Sequence, residues 1–167
     1  IMRLVEALDA GPICAQQKVP IDPTWNAGTL AAQLADVGGE LLAGVLTEAE
    51  QALSWIEQPE QGTTYAEKLT STDRELPLAE LTVAQLRNRV RALAPKPGAF
   101  ITLREVERLQ LLATDISDTS VPSGEVVRSG DELLLGCQDG AAKATVVKPA
   151  GGREMAATDF MRGTRAI

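Results

Sequence analysis

Apolar positions along the 167-residue chain change their spacing twice, and each change marks a different kind of element. Residues 1–5 and 13–21 read as short extended segments, joined by Leu8-Asp9-Ala10-Gly11-Pro12, whose Gly and Pro punctuate a turn. That turn sets Asp9 beside strand ends. Leu30, Leu34, Val37, Leu41, Leu42, Val45 and Leu46 then recur at helical spacing, with Gln33, Asp36 and Glu40 between them. This predicts an amphipathic helix over residues 29–46, with room to continue over residues 47–56. Gly38-Gly39 inside it costs about 1 kcal/mol per residue relative to Ala, which predicts close packing against a neighbouring backbone.

Residues 57–80 lose the periodicity. Glu57-Gln58-Pro59-Glu60-Gln61-Gly62-Thr63-Thr64 is polar and turn-rich, and the stretch exceeds the ~12–15 residues usual for a loop inside a compact domain, so it reads as a linker between two units. A helix then starts with a capping box, Thr82 with Gln85, and a hydrophobic staple, Leu81 with Leu86. Leu86, Val90 and Leu93 share its apolar face, Arg87 and Arg91 lie on one flank and Arg89 on the other, and Pro95 and Pro97 end it. From residue 99 the period becomes two. Residues 100–103, 108–113, 124–127, 132–137 and 142–147 read as strands, with turns at Ser129-Gly130-Asp131 and Gln138-Asp139-Gly140. Several short strands in so few residues predict a small closed or partly closed barrel, followed by a terminal helical turn over residues 156–161.

Composition narrows the chemistry more than the fold. The chain has no His, which removes Ser-His-Asp and Cys-His nucleophile systems, His metal sites and any imidazole acid or base supplied from these residues. Cys14 and Cys137 are far apart in sequence and read as reduced thiols of a cytosolic protein. Residues 1–70 hold three basic against ten acidic side chains, whereas residues 71–167 hold thirteen of each, so the net charge of -7 sits wholly in the first part. A neutral second part can still carry a basic face. No run approaches the ~20 apolar residues of a membrane span and no signal segment opens the chain, so it reads as soluble and cytoplasmic, without a membrane partner. The opening Ile1-Met2-Arg3-Leu4-Val5 enters a strand-like pattern without an initiator methionine, turn or cap, which predicts a truncated chain.

Four stretches, in order and spread over nearly the whole chain, carry a resemblance. They are Ile1-Met2-Arg3-Leu4-Val5-Glu6-Ala7-Leu8-Asp9-Ala10-Gly11-Pro12-Ile13, Thr64-Tyr65-Ala66-Glu67-Lys68-Leu69, Val90-Arg91-Ala92-Leu93-Ala94-Pro95-Lys96-Pro97-Gly98-Ala99-Phe100, and residues 149–163 from Pro149-Ala150-Gly151-Gly152-Arg153 to Gly163. Together they resemble the C-terminal part of the methionyl-tRNA formyltransferases. The Leu-Asp-x-Gly motif is shared by many folate-dependent formyltransferases; the last two stretches favour the tRNA enzymes over sugar N-formyltransferases. One departure is Lys96, which stands where that family commonly has a bulky aromatic between the two prolines.

The resemblance implies an α+β chain: residues 1–56 as the C-terminal remnant of a Rossmann-like formyltransferase domain, 57–80 as linker, and 81–167 as an OB-like β-barrel that binds tRNA. It implies translation-initiation chemistry, formyl transfer from 10-formyltetrahydrofolate to the amino group of methionyl initiator tRNA, with no metal. Asp9 matches the family's catalytic Asp, whose partner Asn and His would lie upstream of Ile1, so the isolated chain is expected to be inactive. Val5, Glu6, Ala7 and Leu8 match the segment bordering the folate pterin ring. Lys68, Arg87, Arg89, Arg91, Lys96, Lys143, Lys148, Arg153, Arg162 and Arg165 are the candidates for tRNA phosphates. With few aromatics, recognition by shape and phosphate is expected over base stacking. The chain is expected to be a monomer; the competing readings are a standalone tRNA-binding or interaction module and a sugar N-formyltransferase fragment.

Overall fold

The computed structural model describes residues 1–103 and 108–164. The chain divides into two compact units, Ile1–Trp25 with Thr29–Lys68, and Asn26–Gly28 with Leu69–Ile167.

The first unit is built around one long helix, α1 (Ala27–Thr47), which has no buried residue. Beside it, the expected extended segments meet only as single bridges, Met2 with Ile13 and Ile13 with Ile56. The Ile13 N–H donates to Ile56 O at 2.8 Å and receives the reciprocal bond at 2.9 Å. Such isolated pairs form no parallel ladder among the described residues, so a Rossmann-like remnant is not visible here. The helix does not continue past Thr47. The Thr47 hydroxyl turns back to donate to Gly44 O at 2.7 Å, and Ala49 is extended before a single 3-10 turn at Glu50–Ala52. Gly38 and Gly39 meet nothing within 4 Å, contrary to the close packing expected of them. They lie on a helix none of whose residues is fully buried.

By length and composition α1 is long and apolar enough to cross a membrane, which corrects the expectation that no run approaches that length. Asp36 and Glu40, one turn apart in its middle, make that location costly, because each carboxylate at a bilayer centre costs several kcal/mol.

The second unit has a core. After a one-turn helix α2 (Ser71–Arg74) and a 3-10 turn at Leu78–Glu80, helix α3 spans Val83–Leu93. Its start is the capping box read from the sequence: Thr82 Oγ1 accepts from Gln85 N at 3.2 Å, and Thr82 N donates to Gln85 Oε1 at 2.9 Å. Leu86, Val90 and Leu93 are buried as the helical spacing requires. The strands are β1 (Ala99–Ile101), β2 (Leu109–Ser117), β3 (Val126–Ser129), β4 (Glu132–Gly136), β5 (Ala141–Pro149) and β6 (Met155–Ala156), and helix α4 is Ala157–Gly163.

All pairings are antiparallel, in the order β1-β2-β5-β4-β3, with β6 added to β5. The sheet curls into a half-barrel, with Leu109, Leu111, Leu133, Leu135 and Val147 pointing inward against Leu86, Val90 and Met161. Residues 57–80 contribute to this core as well, since Leu76 and Leu78 are buried in it. Register shifts between Leu111 and Thr114 move the inward set along β5 from Val147 to Ala144. Gly136 permits the tightest backbone crossing of the unit, because a Cβ there would stand 1.9 Å from Pro122 O.

Candidate functional site

The turn that carries Asp9 is held from below by one side chain. Gln58 Nε2 donates to Asp9 O at 2.8 Å and to Gly11 O at 2.7 Å, tying two carbonyls of the turn to a residue far along the chain. Asp9 has φ 54, the only positive φ of a non-glycine residue among the described residues. Asp tolerates that region better than most side chains, and a backbone held there marks a position defined by something other than local preference. Gly11 is the buried residue of the unit, and a Cβ on it would fall 1.8 Å from Arg3 O. Asp9 itself is exposed, at the rim of an open groove of about 530 Å³ lined also by Ile1, Met2, Leu34, Val37 and Gln58.

Val5, Glu6, Ala7 and Leu8 are all exposed. Val5 is 46% and Leu8 94% accessible, so the apolar members of this loop fill no core within the unit. They form an exposed edge next to Asp9. Among the described residues no cluster of three His, Cys, Asp or Glu can hold a metal ion.

The ten basic candidates are not equivalent. Lys143 pairs with Glu132 at 3.4 Å, and Arg162 with Asp131 at 2.9 Å and Asp159 at 3.4 Å, so these charges are partly neutralised. Arg89 lines a groove with Asp73, Glu75 and Glu80, an acidic setting that repels phosphate. The Thr70 hydroxyl and amide hold the Asp73 carboxyl below the usual carboxylate range, with Arg89 a smaller contributor, which keeps that acid charged. Lys68 is exposed at the end of the first unit, Lys96 and Arg153 are exposed, and Arg87, Arg91 and Lys148 are half-buried. Arg165 lies outside the described residues.

Two further arginines sit beside Phe100, and the sequence reading singled out neither. The guanidinium of Arg74 lies 5.7 Å from the Phe100 ring centre and that of Arg108 lies 4.6 Å from it. Arg74 also donates to Gly98 O at 3.1 Å and Pro97 O at 2.8 Å, bracing the turn that bears Lys96. Arg74 was hidden because it falls in a stretch without periodicity. Arg108 was read only as the start of a strand.

Residues 68–165 match the family described as formyl transferase, C-terminal domain. Along essentially its whole length the chain is similar to curated methionyl-tRNA formyltransferases. It is 38% identical to the protein of Halorhodospira halophila (100% of this chain, 54% of the relative). With that of Mesorhizobium japonicum the identity is 34% (100% and 55%), and with that of Rhizobium etli 32% (98% and 53%). The chain therefore spans about half the length of these relatives, and matches their C-terminal portion. Among solved structures, a variant of HypX from Aquifex aeolicus superposes with a TM-score of 0.76 at 17% identity over 99% of this chain and 31% of HypX. HypX in complex with tetrahydrofolic acid gives 0.72 at 15% identity over 96% of this chain and 29% of HypX. At these identities the likeness is one of fold.

Proposed function

On the premise that the chain belongs to the formyl transferase C-terminal domain family, we propose that it is the C-terminal part of an enzyme that formylates methionyl initiator tRNA from 10-formyltetrahydrofolate. The observation that carries the reading is the run of similarity to methionyl-tRNA formyltransferases over the full chain, which includes the Asp9 turn as well as the second unit. In this reading the first unit is the end of a Rossmann-like catalytic domain and the second an OB-like tRNA-binding domain. The protein is a cytoplasmic monomer and uses no metal.

Formyl transfer forms a bond between the methionyl nitrogen and the formyl carbon and breaks the bond from that carbon to N10 of the folate, with a proton passing from the attacking amine to the leaving nitrogen. The step needs a base, an oxyanion stabiliser and close placement of both reactants. In this reading Asp9, exposed at a turn pinned by Gln58, orients a general base. These residues contain no His, so the imidazole of the family's catalytic group has to come from outside them. The exposed edge Val5-Glu6-Ala7-Leu8 borders the folate ring.

The test is a fusion of this chain behind the upstream half of the Halorhodospira halophila relative, assayed for formylation of initiator methionyl-tRNA. The fusion is expected to turn over, and Asp9→Asn, which keeps a side chain tolerant of the turn's backbone, is expected to lower kcat about 10²-fold or more. Turnover by the 167-residue chain alone, or a fusion indifferent to Asp9→Asn, contradicts the reading.

A further inference from the structure

The Asp9 turn is anchored differently at its two ends. Downstream the support is backbone: the Arg3 N–H donates to Pro12 O at 2.9 Å, Ile13 exchanges hydrogen bonds with Ile56 at 2.8 and 2.9 Å, and a Cβ on Gly11 would collide with Arg3 O. Upstream, where Asp9 sits, the support is a side chain. Gln58 Nε2 donates to Asp9 O at 2.8 Å and to Gly11 O at 2.7 Å, so the two hydrogens of its amide are both engaged. The same two carbonyls fix which end of the amide faces the turn, because an amide oxygen there would oppose two other oxygens.

Gln58 is itself well placed to act as an anchor. Ile56, two residues before it, is bridged to Ile13, and Pro59 after it favours an extended conformation, so the half-buried glutamine side chain leaves from a defined point. Asp9 needs such an anchor for a local reason. At φ 54 its Cβ crowds a neighbouring carbonyl oxygen, a cost comparable to what one or two hydrogen bonds contribute. Released, the residue relaxes to negative φ, and because Cβ turns with the backbone, the carboxylate then points elsewhere.

We propose that Gln58 is the positioning residue of the formyl-transfer site: its amide holds the Asp9 backbone in the left-handed region, aims the Asp9 carboxylate, and acts on turnover through Asp9 alone. The inference rests on the reading that Asp9 orients a general base, and it adds the residue that sets the direction. Two carbonyls meeting one group require two donors on one atom. An ionised carboxylate at this position offers none, and Asn is one methylene too short to keep both contacts.

Two measurements separate this proposal from the reading beneath it. In the 167-residue chain, the Asp9 φ is read from NMR scalar couplings and carbon shifts. Gln58→Ala is expected to take Asp9 out of the left-handed region, and an unchanged angle overturns the proposal whatever the site does. In the fusion with the upstream half of the Halorhodospira halophila relative, Gln58→Ala is expected to lower kcat for initiator methionyl-tRNA about tenfold, with KM for tRNA and for folate within about twofold. Gln58→Glu, nearly isosteric and without donors when ionised, should lose at least as much, and turnover equal to that of the unsubstituted fusion overturns the proposal. In the Asp9→Asn background, Gln58→Ala should cost less than about twofold, because the carboxylate it aims is already gone. A merely structural loss multiplies instead, since fewer folded molecules lower turnover in either background, and that result overturns the proposal. A fusion that turns over yet ignores Asp9→Asn defeats the underlying reading and the proposal with it. One that is sensitive to Asp9→Asn and indifferent to Gln58→Ala defeats the proposal alone.

Discussion

The two units of this chain use similar shares of apolar sequence to opposite ends. In the second, Leu86, Leu109, Leu111, Leu133 and Leu135 are fully buried around one core. In the first, Leu4, Leu8, Ile21, Leu46 and Ile56 are more than half exposed, and no residue of α1 is fully buried. Amphipathic periodicity states which face of a helix wants cover, and only the second unit contains what covers it. The difference sorts the molecule into a part whose stability is internal and a part whose apolar surface is available to further structure. The Asp9 turn belongs to the second kind: Gln58 and the Arg3 backbone hold its carbonyls, while Asp9 itself stays exposed.

The sharpest way to break this comparison is to truncate equivalent leucines. Leu86→Ala should destabilise the second unit by about 2–5 kcal/mol in urea unfolding, whereas Leu42→Ala, at a position 44% exposed on α1, should cost well under about 1 kcal/mol. Equal losses would mean that α1 is packed as firmly as α3. A smaller effect, of opposite sign, is expected at Gly38. A Cβ there meets nothing within 4 Å, so Gly38→Ala should raise α1 stability by about 0.5–1 kcal/mol, read as helical content by circular dichroism. A loss of helix would show that a neighbour occupies that face.

The smallest effect is acid-dependent. The Asp73 pKa is lowered from 3.8 chiefly by its bonds from Thr70. A depressed carboxylate stabilises above its unfolded pKa and loses that contribution as pH falls through the folded value. Asp73→Asn should therefore flatten the acid limb of the stability curve below about pH 4 and reduce stability slightly at neutral pH. An unchanged acid limb would remove Asp73 from the account of α2.

Much of the second unit was legible in the chain. Thr82 with Gln85 announced α3, Pro95 stopped it, and alternation with turn residues at Gly130 and Gly140 located β3, β4 and β5 to within a few residues. These are local signals, written within one turn or hairpin. What was not legible depends on partners distant in sequence. Gly38-Gly39 promised a close neighbour that the described residues do not provide. Leu76 and Leu78 looked like linker because two buried residues around Pro77 make no period. The Arg74–Phe100–Arg108 stack exists because β1 pairs with β2 in one register and α2 packs beside them, and neither fact is visible in spacing. Asp9 was found by motif alone, and its strained backbone and its tie to Gln58 emerged only from the fold.

Hydrogen exchange of the 167-residue chain by itself is the most direct test of the division. The account predicts that amides of Leu109–Ser117 and of residues 141–148 exchange at least about 10³-fold more slowly than those of Ala27–Thr47, since local opening is cheapest where little is buried. Protection of α1 equal to that of the barrel strands would contradict it, and would mean that the first unit completes its own core without further structure.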